Sequence, residues 1–418
     1  MNRSRKPYRR IVGMLAGAVA LAATGCGGVT SGHPVGHYPD PESLDTGAYS
    51  VRPLDVPPAR AGDGRVVESM RMAEVLLDPA QADPALRHPV GPAVVPLPTP
   101  AKAALLLAAP VRDVLERNGM LAGAAVSGSD RKVTAKFPVP GTARLLTAMV
   151  LRFPDADAAQ RAAREIDAVD FAVSPDNVPV SIPGYPAAHA HWRPAVPTAA
   201  ATAARGEFVV SLLAGHTAPD PDMLTTLARK AFDAQFARLG DFVPTPPDAM
   251  ATLPLDHESM VRRLVPDAPG RWTYPVVAVV SNQLNAGWDS MVFGSGVVYG
   301  PRAAWLSGAR TQTDFPIETM VMTGFNRVAR YADPGAARRA YDAGTAADAA
   351  DSSLRPAPAP ERLPDSVCWS DSKADVAGNG KYFCRVLYGR YTAAIITHDL
   401  PTAQHKTAAQ YGLLAGAE

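Results

Sequence analysis

The chain has 418 residues, more than one hydrophobic core usually organises, so two domains are expected. Hydrophobic residues make up 47% and charged residues 19%, which excludes wholesale disorder. Lys and Arg number 41 against 40 Asp and Glu, a formal charge of +1. Nucleic acid is therefore not an expected partner, because phosphate binding needs a basic excess. Prolines gather at 92–100 and 356–360, and these runs read as exposed connectors.

The N-terminus has three parts in order. Arg3, Arg5, Lys6, Arg9 and Arg10 form a basic region without acidic residues. Residues 11–23 are apolar but fall short of the roughly 20 needed to span a bilayer. Ala23, Thr24, Gly25 and Cys26 follow, and this stretch resembles a lipobox, with Ala23 where leucine is commonest. The expectation is a signal peptide over residues 1–25, read by the general secretory route, and a lipid on Cys26. Two or more acyl chains make a stable anchor, at roughly 0.8 kcal/mol per buried methylene. The remainder would then lie on the extracytoplasmic side of the cell membrane. Residues 26–60, rich in Gly and Pro, read as a flexible tether.

With Cys26 lipidated, Cys368 and Cys384 remain as a pair in an oxidising compartment. Both lie in β-rich segments flanking a turn-prone Ala377-Gly378-Asn379-Gly380. A hairpin stapled by a disulfide is expected, since the spacing is not that of a Cys-x-x-Cys redox motif.

Two segments further on read alike. Phe153-Pro154-Asp155 leads into Ala158-Ala159-Gln160-Arg161-Ala162, and Tyr331-Ala332-Asp333 into Ala336-Ala337-Arg338-Arg339-Ala340. In each, a strand ends at the aromatic residue and the Asp caps a helix. Trp192 and Trp369 follow, then strands from Gly206 and Gly389, then closing helices over 222–239 and 401–414. The first closing helix carries Leu224, Leu227, Ala231 and Phe232 on one stripe. The order strand, helix, strand, strand, helix is most of a split βαβ unit. The expected fold is α+β: two duplicated ferredoxin-like-type domains, each an antiparallel sheet with helices on one face. Boundaries are expected at 61–242 and 271–418, with a Pro-rich linker over 243–270 that holds a helical stretch at 256–264. A further helix over 101–116 should break at Pro110.

With these residues in place, the chain resembles a family of two-domain cell-envelope lipoproteins of mycobacteria, nocardiae and their actinobacterial relatives. The resemblance rests on the lipobox, on Leu44-Asp45-Thr46-Gly47-Ala48-Tyr49, on the paired domains, and on Cys368-Trp369 and Gly389-Arg390-Tyr391. It implies no activity. The C-terminal repeat is also similar in outline to sensor domains of actinobacterial receptor kinases, and fold does not set function.

No catalytic motif stands out: no nucleophile elbow, zincin helix, phosphate loop or dinucleotide fingerprint. Gly294 to Gly300 reads as a turn between strands. His189 and His191 share a strand face and His216 ends a later strand, so three imidazoles are weak candidates for a metal. His191, however, takes the place that Cys368 takes in the other copy. Trp272, Trp288 and Trp305 precede or line the second domain's first strands, as core or as groove lining. No cofactor and no catalytic residue is assigned. The expected function is a non-catalytic binding module for a lipid, glycan or other small hydrophobic ligand. The alternatives are a lipoprotein that tethers or regulates an envelope protein and, last, an unrecognised hydrolase. An apolar cavity of several hundred Å³ would favour the ligand.

Overall fold

The computed structural model describes residues 38–132, 140–280, 291–307, 315–373 and 380–416. Cys26 and the expected signal peptide lie outside them, as do Trp288 and residues 377–379 of the expected turn.

The first half runs α1 (Asp63–Ala73), α2 (Pro79–Ala82), β1 (His88–Pro96), α3 (Pro100–Ala103), α4 (Val111–Arg117), β2 (Ala122–Ser129), β3 (Leu145–Arg152), α5 (Ala156–Phe171), β4 (Val178–Pro179), β5 (His189–Arg193), β6 (Val196–Arg205), β7 (Phe208–Gly215) and α6 (Pro221–Leu239). Its strands form one sheet in the order β1-β2-β3-β7-β6-β5-β4. The second half has a small hairpin, β8 (Val276–Val280) and β9 (Met291–Ser295). Then come β10 (Val297–Tyr299), α7 (Pro301–Leu306), β11 (Ile317–Thr323), β12 (Asn326–Tyr331), α8 (Pro334–Ala350), β13 (Leu354–Ala357), β14 (Ser366–Asp371), β15 (Tyr382–Tyr388), β16 (Tyr391–Thr397) and α9 (Leu400–Ala415). Its sheet runs β10-β11-β12-β16-β15-β14-β13, the same order position by position.

The helix caps and the break at Pro110 act as expected, and the glycines read as opening strands instead sit in turns. Asp155 and Asp333 each accept a hydrogen bond of 2.8 Å from a backbone N–H in the first turn of α5 and α8. Gly206 and Gly389 take φ of 55° and 51° in the tight turns β6–β7 and β15–β16, where a Cβ would be strained. Pro110 stands just before α4 and separates it from α3. The stripe on α6 is buried, Leu224, Leu227 and Phe232 each contributing roughly 1.5–3 kcal/mol relative to exposure.

The antiparallel sheet expected for each half is present: every neighbour in both large sheets is antiparallel. What the halves share is a seven-stranded antiparallel sheet, with more strands than the predicted unit supplies. The expectation that the helices share one face is corrected. Thr202 on β6 bonds to Ala163 of α5, while Arg205, three residues on, bonds to Phe236 of α6. In the second half Arg385 bonds to Asp348 of α8, and its neighbour Cys384 packs with Ala403 of α9. Successive strand residues point to opposite faces, so each sheet is covered on both.

Three stretches expected as free connectors are packed. The proline runs contribute edge strands, β1 and β13, where a missing N–H costs no ladder bond. Residues 243–270 form three 3-10 turns and bury Met250, Leu255, Met260, Val261, Leu264 and Val265. The N-terminal strap from residue 39 is not a loose tether. Tyr411 donates to Pro39 O at 2.8 Å and Arg362 to Ser43 O at 2.7 Å, and Leu44 is buried. Gly412 of α9 lets the strap close in, since a Cβ there would stand 2.6 Å from Val51. Apolar residues spaced through a Gly- and Pro-rich segment suffice to dock it.

The described residues from Pro39 onward form one compact unit. A single core runs through the first half and continues into Val297, Tyr299, Ala303, Leu306 and Met320 of the second. The rest of the second half buries smaller separate clusters.

Candidate functional site

The two cysteines of the second half are joined, Cys368 to Cys384, directly opposite each other on β14 and β15. The histidines are not brought together. His191 is buried under α5, its Nδ1 2.8 Å from Asp167 and its Nε2 3.7 Å from Asp170. Burial pushes the Asp170 carboxyl up, with the His191 charge opposing. His189 faces Thr202 on β6, whereas the N–H of His216 bonds to Pro197 O. Five residues of strand separate those two points, roughly 17 Å. Among the described residues no group of three or more His, Cys, Asp or Glu side chains is placed to hold a metal. His191 does not share the place of Cys368. Counting from the hairpin glycines, Ala190 and Ala201 stand where Cys368 and Cys384 stand, and His191 stands at Trp369. The sequence match was one residue out of register, which changes the face of the sheet. Trp305 packs against the shared core from α7, and Trp272 lines a cavity of only about 20 Å³.

An enclosed, chiefly apolar space lies where the halves meet. Val67, Met70 and Arg71 of α1 and its C-cap Glu74 line it, at the i, i+3, i+4, i+7 spacing of one helix face. Leu253, Pro254 and Leu255 close one side and Gly296, Val297 and Val298 the other. The cavity is about 330 Å³, within the range of small-molecule sites. His257 also lines it, so its ionisable groups are Arg71, Glu74 and His257.

Two of these are committed to structure. Glu74 accepts from the N–H groups of Arg302 at 3.0 Å and Ala303 at 2.9 Å, capping α7 from the other half. Gly300 makes room, since a Cβ there would stand 2.6 Å from the Glu74 carboxyl carbon. Burial pushes the Glu74 carboxyl up, and those N–H donors oppose it. Arg71 donates to Glu68 at 2.6 Å, to Thr245, and to Val243 O at 3.0 Å. Glu68 is fully buried and also takes Arg152 at 2.9 Å. The wall behind the cavity is therefore preorganised by a polar network, while the surface it offers is chiefly aliphatic.

A second space, about 480 Å³ and open along one side, lies between β6, α6 and residues 184–188. Tyr185 rests on the stacked rings of Phe232 and Phe236, at centroid distances of 5.1 and 5.8 Å. Its hydroxyl donates to Asp233 at 2.7 Å. Burial and that bond push the Tyr185 phenol up to about 12, so it stays a donor at neutral pH. Arg205 lines the far side. Neither space was read from the sequence. The spacing on α1 was available as a signal, but one helix face looks the same whether it meets core or cavity.

These features define a duplicated α+β protein with a shared core and a pocket at its seam. The DUF7373 N-terminal domain, a domain of unknown function, matches residues 56–255, and the DUF7373 C-terminal domain matches residues 260–417. The chain belongs to this two-domain DUF7373 family. The join between the matches falls among the residues that line the pocket. No curated protein matches the chain. The extracellular domain of PknH from Mycobacterium tuberculosis is similar at 15% identity, over 40% of this chain and 95% of that one. Its TM-score of 0.27 is too low to carry an argument.

Proposed function

We propose that this protein is a non-catalytic binding module of the cell envelope, lipid-anchored through Cys26, that holds a small apolar ligand such as a lipid in the seam pocket. The observation that carries the reading is the aliphatic cavity of about 330 Å³ between α1, residues 253–255 and β10. Burying apolar surface there yields roughly 25 cal/mol per Å². The lining offers no hydroxyl or thiol side chain, and two of its charged groups are already engaged. The Cys368–Cys384 bridge supports an oxidising, extracytoplasmic compartment. The basic and apolar N-terminus supports the anchor.

Native mass spectrometry of the full chain, purified from its own host, tests the ligand. A small hydrophobic molecule should co-purify, and Met70→Trp, which fills the cavity, should release it. Empty protein, or a ligand unmoved by Met70→Trp, counts against the pocket. The anchor is tested separately by Cys26→Ser, which should shift the protein from the membrane fraction to the soluble one.

A further inference from the structure

We infer that the open groove beside Tyr185 is a second binding site, for one or two sugar rings of a neutral oligosaccharide. It shares no residue with the seam pocket and does not rest on it.

The argument begins with shape. Ala187, Ala188, Ala203, Ala204 and Ala237 line the groove, and their short side chains leave its floor open. Phe236 and Tyr185 supply the aromatic part of its wall. The stacked phenylalanines, 5.6 Å apart at 10°, support the tyrosine ring from behind. A pyranose has an apolar face of axial C–H groups, and a flat, supported ring is what that face packs on.

Charge narrows the class. The groove's lining carries one carboxylate, Asp233, and one guanidinium, Arg205. An anion meets Asp233 and a cation meets Arg205, and either charge would lose its hydration beside a like one. A neutral polyol uses both. Asp233 accepts from Tyr185 on one oxygen and from Arg229 on the other, and each oxygen keeps a lone pair for a sugar hydroxyl. Arg205 gives one N–H to Phe236 O at 3.0 Å and keeps others for a hydroxyl oxygen. An acyl chain would dehydrate both charged groups and offer no hydrogen bond in return, which is costly. The open side lets a longer glycan run past the ends.

The test is saturation-transfer NMR on the full chain with cellotetraose, maltotetraose, mannotetraose and galactotetraose. Ring C–H protons of at least one sugar should receive saturation. Tyr185→Ala and Asp233→Asn should each weaken its binding at least about tenfold. Tyr185 covers Phe232 and Phe236, so its removal could unsettle the fold. Asp233 is about half exposed, at 52% of its side chain, and its conversion to Asn is expected to leave the melting curve unchanged. Three outcomes overturn the proposal: no saturation from any of the four sugars, binding unmoved by Asp233→Asn in folded protein, or a sulfated analogue binding more tightly than the neutral sugar.

Discussion

The two large sheets have one strand order and two different ways of holding it. Arg152 at the end of β3 and Arg330 near the end of β12 stand at equivalent points, opposite Phe208 and Tyr391 beside the hairpin glycines. Each reaches a glutamate from the segment that opens its half, Glu68 or Glu258. The first pair is dry, with side chains 3% and 0% exposed. The second is wet, at 16% and 41%. The closing helices repeat another device. Gln235 and Gln410 are both fully buried. Gln235 accepts from Leu77 N at 2.9 Å and donates to Val75 O at 2.8 Å. Gln410 accepts from Val265 N at 2.9 Å and donates to Arg263 O at 2.6 Å. Where β5 and β6 bring Ala190 and Ala201 together in a large core, β14 and β15 bring two cysteines. The half with smaller clusters carries the covalent staple, as expected where burial alone contributes less.

The comparison can be broken most directly at the arginines. Arg152→Met takes one of two arginine partners from the buried Glu68, which keeps Arg71, and should cost about 3 kcal/mol in urea unfolding. Arg330→Met, at a solvated pair, should cost no more than about 1 kcal/mol. Equal losses would show that the two sites are not energetically distinct. Next in size is the bridge. Reducing Cys368–Cys384 should remove about 3 kcal/mol, seen as a lower unfolding midpoint with reductant. Ala190→Cys with Ala201→Cys should form a matching disulfide, detected as a linked peptide by non-reducing mass spectrometry. Free thiols at that pair would mean the registers are not equivalent.

Gln235→Leu and Gln410→Leu each leave a backbone N–H and a carbonyl unpaired, and each should cost about 1–3 kcal/mol. A loss at only one would end the analogy between the closing helices. The smallest effects are in pH dependence. Burial raises the Glu74 carboxyl above its ordinary value of 4.5, so wild-type glutamate stabilises less as pH rises through that value. The cost of Glu74→Gln should therefore be larger at pH 4 than at pH 7. Glu258 runs the other way. Burial pushes it up, but the Arg330 hydrogen bond and charge outweigh that and hold it below 4.5. Its contribution is present above that pH and lost below it, so Glu258→Gln should cost more at pH 7 than at pH 3.5.

Helix caps, the cysteine pair and the repeat were legible because each depends on residues near in sequence. Asp155 and Asp333 act on N–H groups three residues away, whatever lies beyond. The repeat was visible in spacing, but its register was not. Trp192 and Trp369 look equivalent in a linear match, yet the sheet sets His191 against Trp369. The candidate site was almost wholly hidden. Tyr185 and Asp233 are 48 residues apart, and Glu74 meets Ala303 across 229.

The sequence alone thus determined the capped helices, the α+β class, the duplication and the pairing open to Cys368 and Cys384. Tertiary structure alone decided that each large sheet has seven strands, that helices cover both faces of each sheet, and that the strap and linker are docked. It also decided that one helix face meets a cavity. The physical reason is range. Propensity and capping act within a turn or two, whereas register, shared cores and pockets arise only when distant segments exclude water together.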